Sequence, residues 1–411
     1  MSQASAALET VFRLEHGRVL ATLIRQVGDI DLAEDSLSEA MAVALTAWES
    51  GIPENPGAWL TTTARRKAID RLRRAVNYTS KQAELMHLAQ LEQDENSPEE
   101  EELAVIDDQL RLMFTCCHPS LSQDVQVALT LKTLGGLSTQ EIGRAFLVPE
   151  TTMAQRIVRA KKKIRTANIP YRVPAESELA GRLSAVLQVI YLIFNEGYLS
   201  ATGDHHLRRE LSTEALRLGR LLTSLMPSQT EAAGLVALMS FHLARFDART
   251  DEDGLAVLLE DQNRSLWDHE TIREADRLLT NTLEAGGSGP YVLQAAIAGV
   301  HATSPNFDET GWEEIAFLYT QLHALQPSPV IALNKAIATA FSTSAQAGLS
   351  EMDVLSEALA RYPHFHAARA KLLDQLGRGE EARQAIGAAL DLTLNAADRA
   401  HLEAELRMLE N

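Results

Sequence analysis

LSTQEIGRAFLVPETTMAQRIVRAKKKIR, Leu137 to Arg165, is the most informative stretch of this 411-residue chain. Ser138 followed three residues later by Glu141 is the mark of a capping box, in which each residue satisfies an open backbone N–H of the other. Ile142 and Phe146 give that short helix one apolar face, and Gly143 lets another helix approach closely. A break at Val148-Pro149 ends it. The next helix starts near Pro149, with Met153 and Ile157 inward and Thr152, Ala154, Gln155, Arg156 and Arg159 outward. Lys161 to Lys163 and Arg165 line its C-terminal end. The pattern predicts a helix-turn-helix whose second helix enters a major groove, where Gln pairs with adenine and Arg with guanine, each good pair discriminating by roughly 1–3 kcal/mol. The plainer reading of RAKKKIR is a solvated basic end complementing the helix dipole, which leaves the cap and the turn unexplained.

Upstream, apolar residues recur at Leu8, Val11, Phe12, Val19, Leu20, Leu23 and Val27 with helical spacing, and Gly28 stops the run. Asp29 and Asp31 open a second helix with Ala33, Leu37, Met41, Ala44, Leu45 and Trp48 on one face. Pro and Gly content makes Glu49 to Gly57 a loop. A third helix runs from about Ala58 to Ala75. Within it Arg66, Asp70 and Arg73 share a face and Trp59, Ile69 and Leu72 supply apolar anchors. Basic residues beside an aromatic suit unpaired bases, held by stacking and phosphate contact, although a charge run is more often a solvated face. Seven carboxylates between Glu92 and Glu102 then read as a linker. Short helices follow near 122 to 134, 138 to 146 and 149 to 165.

Hydrophobic residues make up 45% and charged residues 23% of the chain, the balance of a globular protein rather than a disordered one. Aromatics are only 5%, which favours helices over sheets. The formal net charge is -18. Residues 1 to 170 hold 19 Lys+Arg against 23 Asp+Glu and residues 171 to 411 hold 19 against 33, so the two parts carry -4 and -14. Such a field repels free DNA, and any DNA contact has to come from a local basic patch or through a partner. No membrane-span run and no basic-then-apolar leader stand out, so a cytoplasmic location is expected. Cys116 and Cys117 are adjacent and cannot staple the chain. With His118 they make poor metal spacing, and no phosphate loop or nucleophile elbow occurs, so no metal, no cofactor and no enzyme activity are expected.

Residues 8 to 165 resemble the two-domain body of a bacterial extracytoplasmic-function (ECF) sigma factor. GDIDLAEDSLSEAMAVALTAW, WLTTTARRKAIDRLRR and the helix-turn-helix carry the likeness, in order and with matching spacing. The resemblance implies a first domain over 1–77 that docks on core RNA polymerase through Asp31, Asp35 and Glu39. Its loop 49–57 would receive a base flipped from the promoter minus-ten element, with Trp59, Arg65, Arg66, Asp70, Arg73 and Arg74 around it. An acidic linker spans 78–107, standing in for RNA in a positive exit path or serving as a plain spacer. A second domain over 108–170 would read the minus-thirty-five element with Thr152, Ala154, Gln155, Arg156 and Arg159. Arg66 stands where the family often has Asn, Ala154 where many relatives are basic, and Leu147 where a turn Gly is common.

Residues 171 to 411 read as helix upon helix, with breaks at Pro227, 286–290, Pro305, 327–329 and Pro363. PHFHAARAKLLDQLGRGEEARQAIGAAL pairs two helices around Gly377, with Ala370, Ala382, Ile386 and Ala389 at close-packing positions, the spacing of a tetratricopeptide (TPR) repeat. Together with LRLMFTCCHPSL and VIYLIFNEGYL, this resembles sigma factors with a long TPR-like C-terminal extension. Asn195-Glu196-Gly197 is expected to cap an apolar helix at the seam between the DNA-binding part and the tail. The expected class is therefore all-α: two small helical domains, the second a helix-turn-helix, then a repeat-like extension acting in cis or on a partner. Two rivals share these elements. One is a stand-alone helix-turn-helix regulator with a helical sensing domain, and the other a helical-repeat scaffold with incidental basic helices.

Overall fold

The computed structural model describes residues 3–79, 98–146, 148–199, 205–250, 257–393 and 396–409. These are helical throughout, with no strand among them. They form two compact units, Met1–Gly197 and Tyr198–Asn411.

In the first unit, α1 (Gln3–Val27), α2 (Ile30–Ala47) and α3 (Pro56–Thr79) pack on one another. Asp29 caps α2, its carboxylate accepting the Leu32 N–H at 2.8 Å. Asn55 does the same for α3, accepting from Ala58 at 3.0 Å, with Pro56 in the first turn where its missing N–H costs nothing. Leu20, Leu23, Leu37, Ala40, Ala44 and Trp48 build the core between them. The expected inward face of α2 needs correction. Leu45 is 47% exposed and Met41 half-buried, while Ala40 takes the buried position. On α3 the buried residues are Leu60, Ala64 and Ala68, and Trp59, Ile69 and Leu72 are half-buried. Small residues let α3 lie close to α2, so the larger apolar ones sit at the margin.

The helix α4 (Pro98–Cys116) begins inside the stretch read as a linker. Pro98 in the first turn and four glutamates just after it suit the positive end of a helix dipole, so the charges that suggested a spacer also suit a helix start. The rest of that acidic run, Glu92 to Glu95, lies outside the described residues, as does Leu147. Next come α5 (Gln123–Thr133), α6 (Thr139–Ala145) and α7 (Glu150–Thr166), within two residues of expectation.

The helix α8 (Glu176–Leu199) runs straight through Asn195-Glu196-Gly197, so that triplet caps nothing. The compact first unit extends to Gly197, beyond the expected start of the extension at residue 171. Glu176–Tyr198 is long and apolar enough to cross a membrane, but Val186, Val189, Ile190, Ile193 and Phe194 are buried in the protein.

The second unit holds α9 (His205–Leu225), α10 (Thr230–Leu243), α11 (His269–Glu284), α12 (Pro290–Thr303) and α13 (Trp312–Leu325). It continues with α14 (Pro329–Ser342), α15 (Ala345–Asp353), α16 (Pro363–Gln375), α17 (Gly379–Leu392) and α18 (Ala396–Leu409). The pair α16 and α17 matches the expected repeat. Gly377 turns the chain at φ 71°, and Ala370, Ala382, Ile386 and Ala389 are all buried.

Candidate functional site

The helix-turn-helix has the expected local chemistry. Glu141 N–H donates to Ser138 Oγ at 3.1 Å and Ser138 N–H donates to Glu141 Oε2 at 2.7 Å, closing the capping box. Gly143 serves the turn: a Cβ there would lie 2.8 Å from the Val148 carbonyl oxygen, and Val148 N–H donates back to the Gly143 carbonyl. Along α7, Met153, Ile157, Ala160 and Ile164 are buried. Thr152, Gln155 and Arg159 face solvent, whereas Ala154 and Arg156 are half-buried. Arg156 is 3.6 Å from Asp124.

On α3, Arg66, Asp70, Arg73 and Arg74 are exposed and Arg65 half-buried, with Trp59 edge-on to Trp48 at 5.6 Å. The acidic residues of α2 are engaged by cations from elsewhere. Arg71 donates from Nη1 to Asp35 at 2.6 Å and from Nε and Nη2 to Glu39 at 2.9 and 2.5 Å. Those hydrogen bonds, from Asp35 and then Glu39, hold the Arg71 guanidinium above its ordinary pKa. Asp35 remains 62% exposed and therefore reachable.

Asp31 meets the C-terminal end of α7. Lys161 Nζ lies 2.7 Å from Glu34 and 3.1 Å from Asp31, and Arg165 lies 3.4 Å from Asp31. Lys161 is only 12% and Glu34 17% exposed, so this is a partly buried pair rather than a surface one. Burial alone would lower the Lys161 pKa, but Glu34 and Asp31 more than offset it and the net shift is upward. Further bonds tie α1 to α4 and to Tyr171. Arg25 Nε donates to the fully buried Asp108 at 2.8 Å. The Tyr171 hydroxyl lies 2.9 Å from the Ala21 carbonyl and 3.1 Å from that of Asp108. Burial pushes the phenol up, so it stays protonated and donates.

Sequence reasoning did not single out Arg71, Glu34, Arg25, Asp108 or Tyr171, and it placed Lys161 only within the basic end of α7. Arg71 was in view inside RLRR, but nothing separates it there from Arg73 and Arg74. Glu34 and Lys161 are 127 residues apart, and no local pattern joins them.

Cys116 and Cys117, at the end of α4, lie against α5, their sulfurs 3.1 Å from Thr133 Oγ1 and 3.6 Å from Thr130 Oγ1. Burial pushes both thiols up, Cys117 to about 12, so neither supplies a thiolate near neutral pH. Among the described residues no group of three or more His, Cys, Asp or Glu side chains is placed to hold a metal ion.

Three family models match parts of the chain. The family model of sigma-70 region 2 matches residues 11–78, that of sigma-70 region 4 matches 111–164, and a family of unknown function (DUF6596) matches 182–283. The chain is 41% identical over 397 residues to an uncharacterized protein of Rhizobium meliloti, covering 95% of this chain and 92% of the relative. It is 24% identical over 176 residues to the probable ECF RNA polymerase sigma factor SigI of Mycobacterium tuberculosis, covering 43% of this chain and 60% of that one. The RNA polymerase sigma-H factor of Pseudomonas aeruginosa is 28% identical over 167 residues, 39% of this chain and 84% of its own. The crystal structure of yeast Tom70 aligns over 99% of this chain and 84% of its own, at 12% identity and a TM-score of 0.36.

The chain belongs to the ECF sigma factors, among those with a helical C-terminal extension. Sigma factors are transcription initiation factors rather than enzymes, and they act on promoter DNA bound to core RNA polymerase.

Proposed function

We propose that this protein works in the cytoplasm by directing core RNA polymerase to promoters through two reading surfaces that mask one another while the protein is free. Residues 1–77 dock on polymerase through Asp31, Asp35 and Glu39 and hold the minus-ten element with Trp59, Arg65, Arg66, Asp70, Arg73 and Arg74. Residues 78–107 lead into 108–170, where Thr152, Ala154, Gln155, Arg156 and Arg159 read the minus-thirty-five element. The extension over 171–411 regulates in cis or through a protein partner.

The observation that carries this reading is the pairing of Lys161 with Glu34 and Asp31, which sets the basic end of the DNA-reading helix on the polymerase-docking helix. Two promoter elements about 25 base pairs apart span ~85 Å of duplex at roughly 3.4 Å per base pair. The minus-ten residues lie on α3, which packs on α2; α3 is about 36 Å and α7 about 26 Å long at roughly 1.5 Å per residue. With α7 held on α2, the reading surfaces of α3 and α7 fall short of that span, so docking on polymerase has to separate them.

The test is gel filtration of the full-length protein with core bacterial RNA polymerase. Asp35→Ala with Glu39→Ala should weaken co-elution about tenfold or more, since close charge pairs at interfaces couple by roughly 1.5–7 kcal/mol. Lys161→Glu with Arg165→Glu, which sets like charges against Asp31 and Glu34, should strengthen it. Arg156→Ala with Arg159→Ala should leave co-elution intact and abolish promoter-specific transcription. Co-elution indifferent to both charge changes would sink the proposal.

A further inference from the structure

The second unit contains a cavity of about 590 Å³ walled by α12, α13, α14, α16, α18 and the segment 258–260. Native packing leaves few voids larger than a water molecule, whereas small-molecule sites run to roughly 300–1,000 Å³. One wall is a fixed aromatic cluster. Trp312 stacks on Phe341 with centroids 4.4 Å apart and planes 21° apart, and Phe307 stands edge-on to both at 5.2 and 5.4 Å. Ile315 and Ile337 continue the apolar surface.

The charged groups in the wall are already engaged. Lys371 Nζ donates to both carboxylate oxygens of Glu260, at 2.5 and 2.6 Å, and Glu405 has an interaction of its own. Apart from the exposed His364, two polar groups remain. The Asn334 carboxamide makes no hydrogen bond among the described residues, and His301 Nδ1 is buried without a partner among them. Burial, with the nearby Arg245 and Arg264 cations, holds His301 down to about 4, so near neutral pH its ring is an uncharged donor and acceptor. A charged ligand would lose hydration here and find Lys371 and Glu260 already paired, which is costly. An uncharged ligand loses little and gains an aromatic wall.

We propose that this cavity, between the aromatic cluster around Trp312 and the Asn334 and His301 side chains, binds a neutral, largely apolar aromatic small molecule carrying a hydrogen-bonding group. The site goes beyond the sigma-factor reading and does not depend on it, because binding is measured without polymerase or DNA.

The probe is N-phenyl-1-naphthylamine, a neutral aromatic amine that brightens on burial, titrated into the full-length protein. Its sulfonated relative, 1-anilinonaphthalene-8-sulfonate, has the same rings and a fixed negative charge. The expected result is saturable one-to-one binding of the neutral probe, at least tenfold weaker binding of the sulfonate, and energy transfer from tryptophan that is largely lost in Trp312→Phe. Ala367→Trp, which fills the cavity from a half-buried position on α16, should weaken the neutral probe at least tenfold while circular dichroism stays unchanged. If that variant does not fold, Ala368→Trp and the Trp312→Phe transfer decide. Unsaturable binding, or binding that ignores the filled cavity and keeps its transfer without Trp312, would overturn the site. Equal affinity for the sulfonate would overturn the ligand class.

Discussion

Residues 1–197 and 198–411 join their helices in different ways. In the first unit the bonds linking distant segments are charged or polar: Arg25 to Asp108, Lys161 to Glu34, and Tyr171 to the Ala21 carbonyl. In the second, the Lys371–Glu260 pair also spans distant segments, but most helices pack on the next one in sequence through apolar surface. Leu293 and Ile297 of α12, Ile315 and Leu322 of α13, and Ala338 of α14 form one such cluster. A solenoid-like stack of this kind draws its stability from neighbour interfaces. Polar closure between distant segments instead responds to charge, salt and competing partners. The first unit is therefore suited to switch and the second to hold its shape around a cavity.

Four measurements would break or sharpen that contrast, hydrogen exchange reporting each unit separately. The largest effect is expected for Asp108→Ala. It strands Arg25 and should cost the first unit about 3–5 kcal/mol, as removing one partner of a buried ion pair does. Because burial already pushes the Asp108 carboxyl up despite Arg25, Asp108→Asn, which keeps an acceptor, should cost much less. Equal losses for the two would show that the charge itself holds the unit closed.

Acid comes next, and it acts on the second unit. His301 is held from 6.5 down to about 4, so the stabilisation is present above pH 6.5 and is lost as pH falls toward 4, by at most about 3 kcal/mol at roughly 1.36 kcal/mol per pH unit. His301→Phe should flatten that part of the acid profile. A profile unchanged by the substitution would place the effect elsewhere, with His242, which burial also holds well below 6.5, the next candidate.

Smaller again is Ile315→Val. This removes one methylene from a site with no solvent exposure, and about 1 kcal/mol should disappear from the second unit with none from the first. The smallest effect is salt. Raising it from about 0.05 M to about 0.5 M shortens the screening length severalfold and should cost the first unit roughly 1 kcal/mol or less, since its pairs are partly buried. The second unit, whose Lys371–Glu260 pair is also screened, should lose less. Equal sensitivity in both would end the contrast.

What was legible in the sequence follows the same line. The capping box at Ser138, the buried Met153 and Ile157, and the α16–α17 pair around Gly377 are local patterns, and each appears where its spacing places it. Leu45 misled because helical periodicity marks a stripe, while the width of the stripe depends on how closely α3 approaches α2. Pro98 and the glutamates after it misled because a charge-rich linker and a charge-rich helix start have the same composition. Lys161 was visible only as part of a basic run. Its partners Glu34 and Asp31 come from another helix, and a single sequence carries no signal for a contact across 127 residues.

That separation also sets a clock. At roughly 5–20 residues per second, a ribosome finishes Glu34 some 6–25 s before it reaches Lys161. Over that interval the nascent acidic helix has no cationic end of α7 to meet. Each newly made molecule therefore passes once through a stage, set by the rate of translation, in which the acidic face of α2 lacks its intramolecular cover.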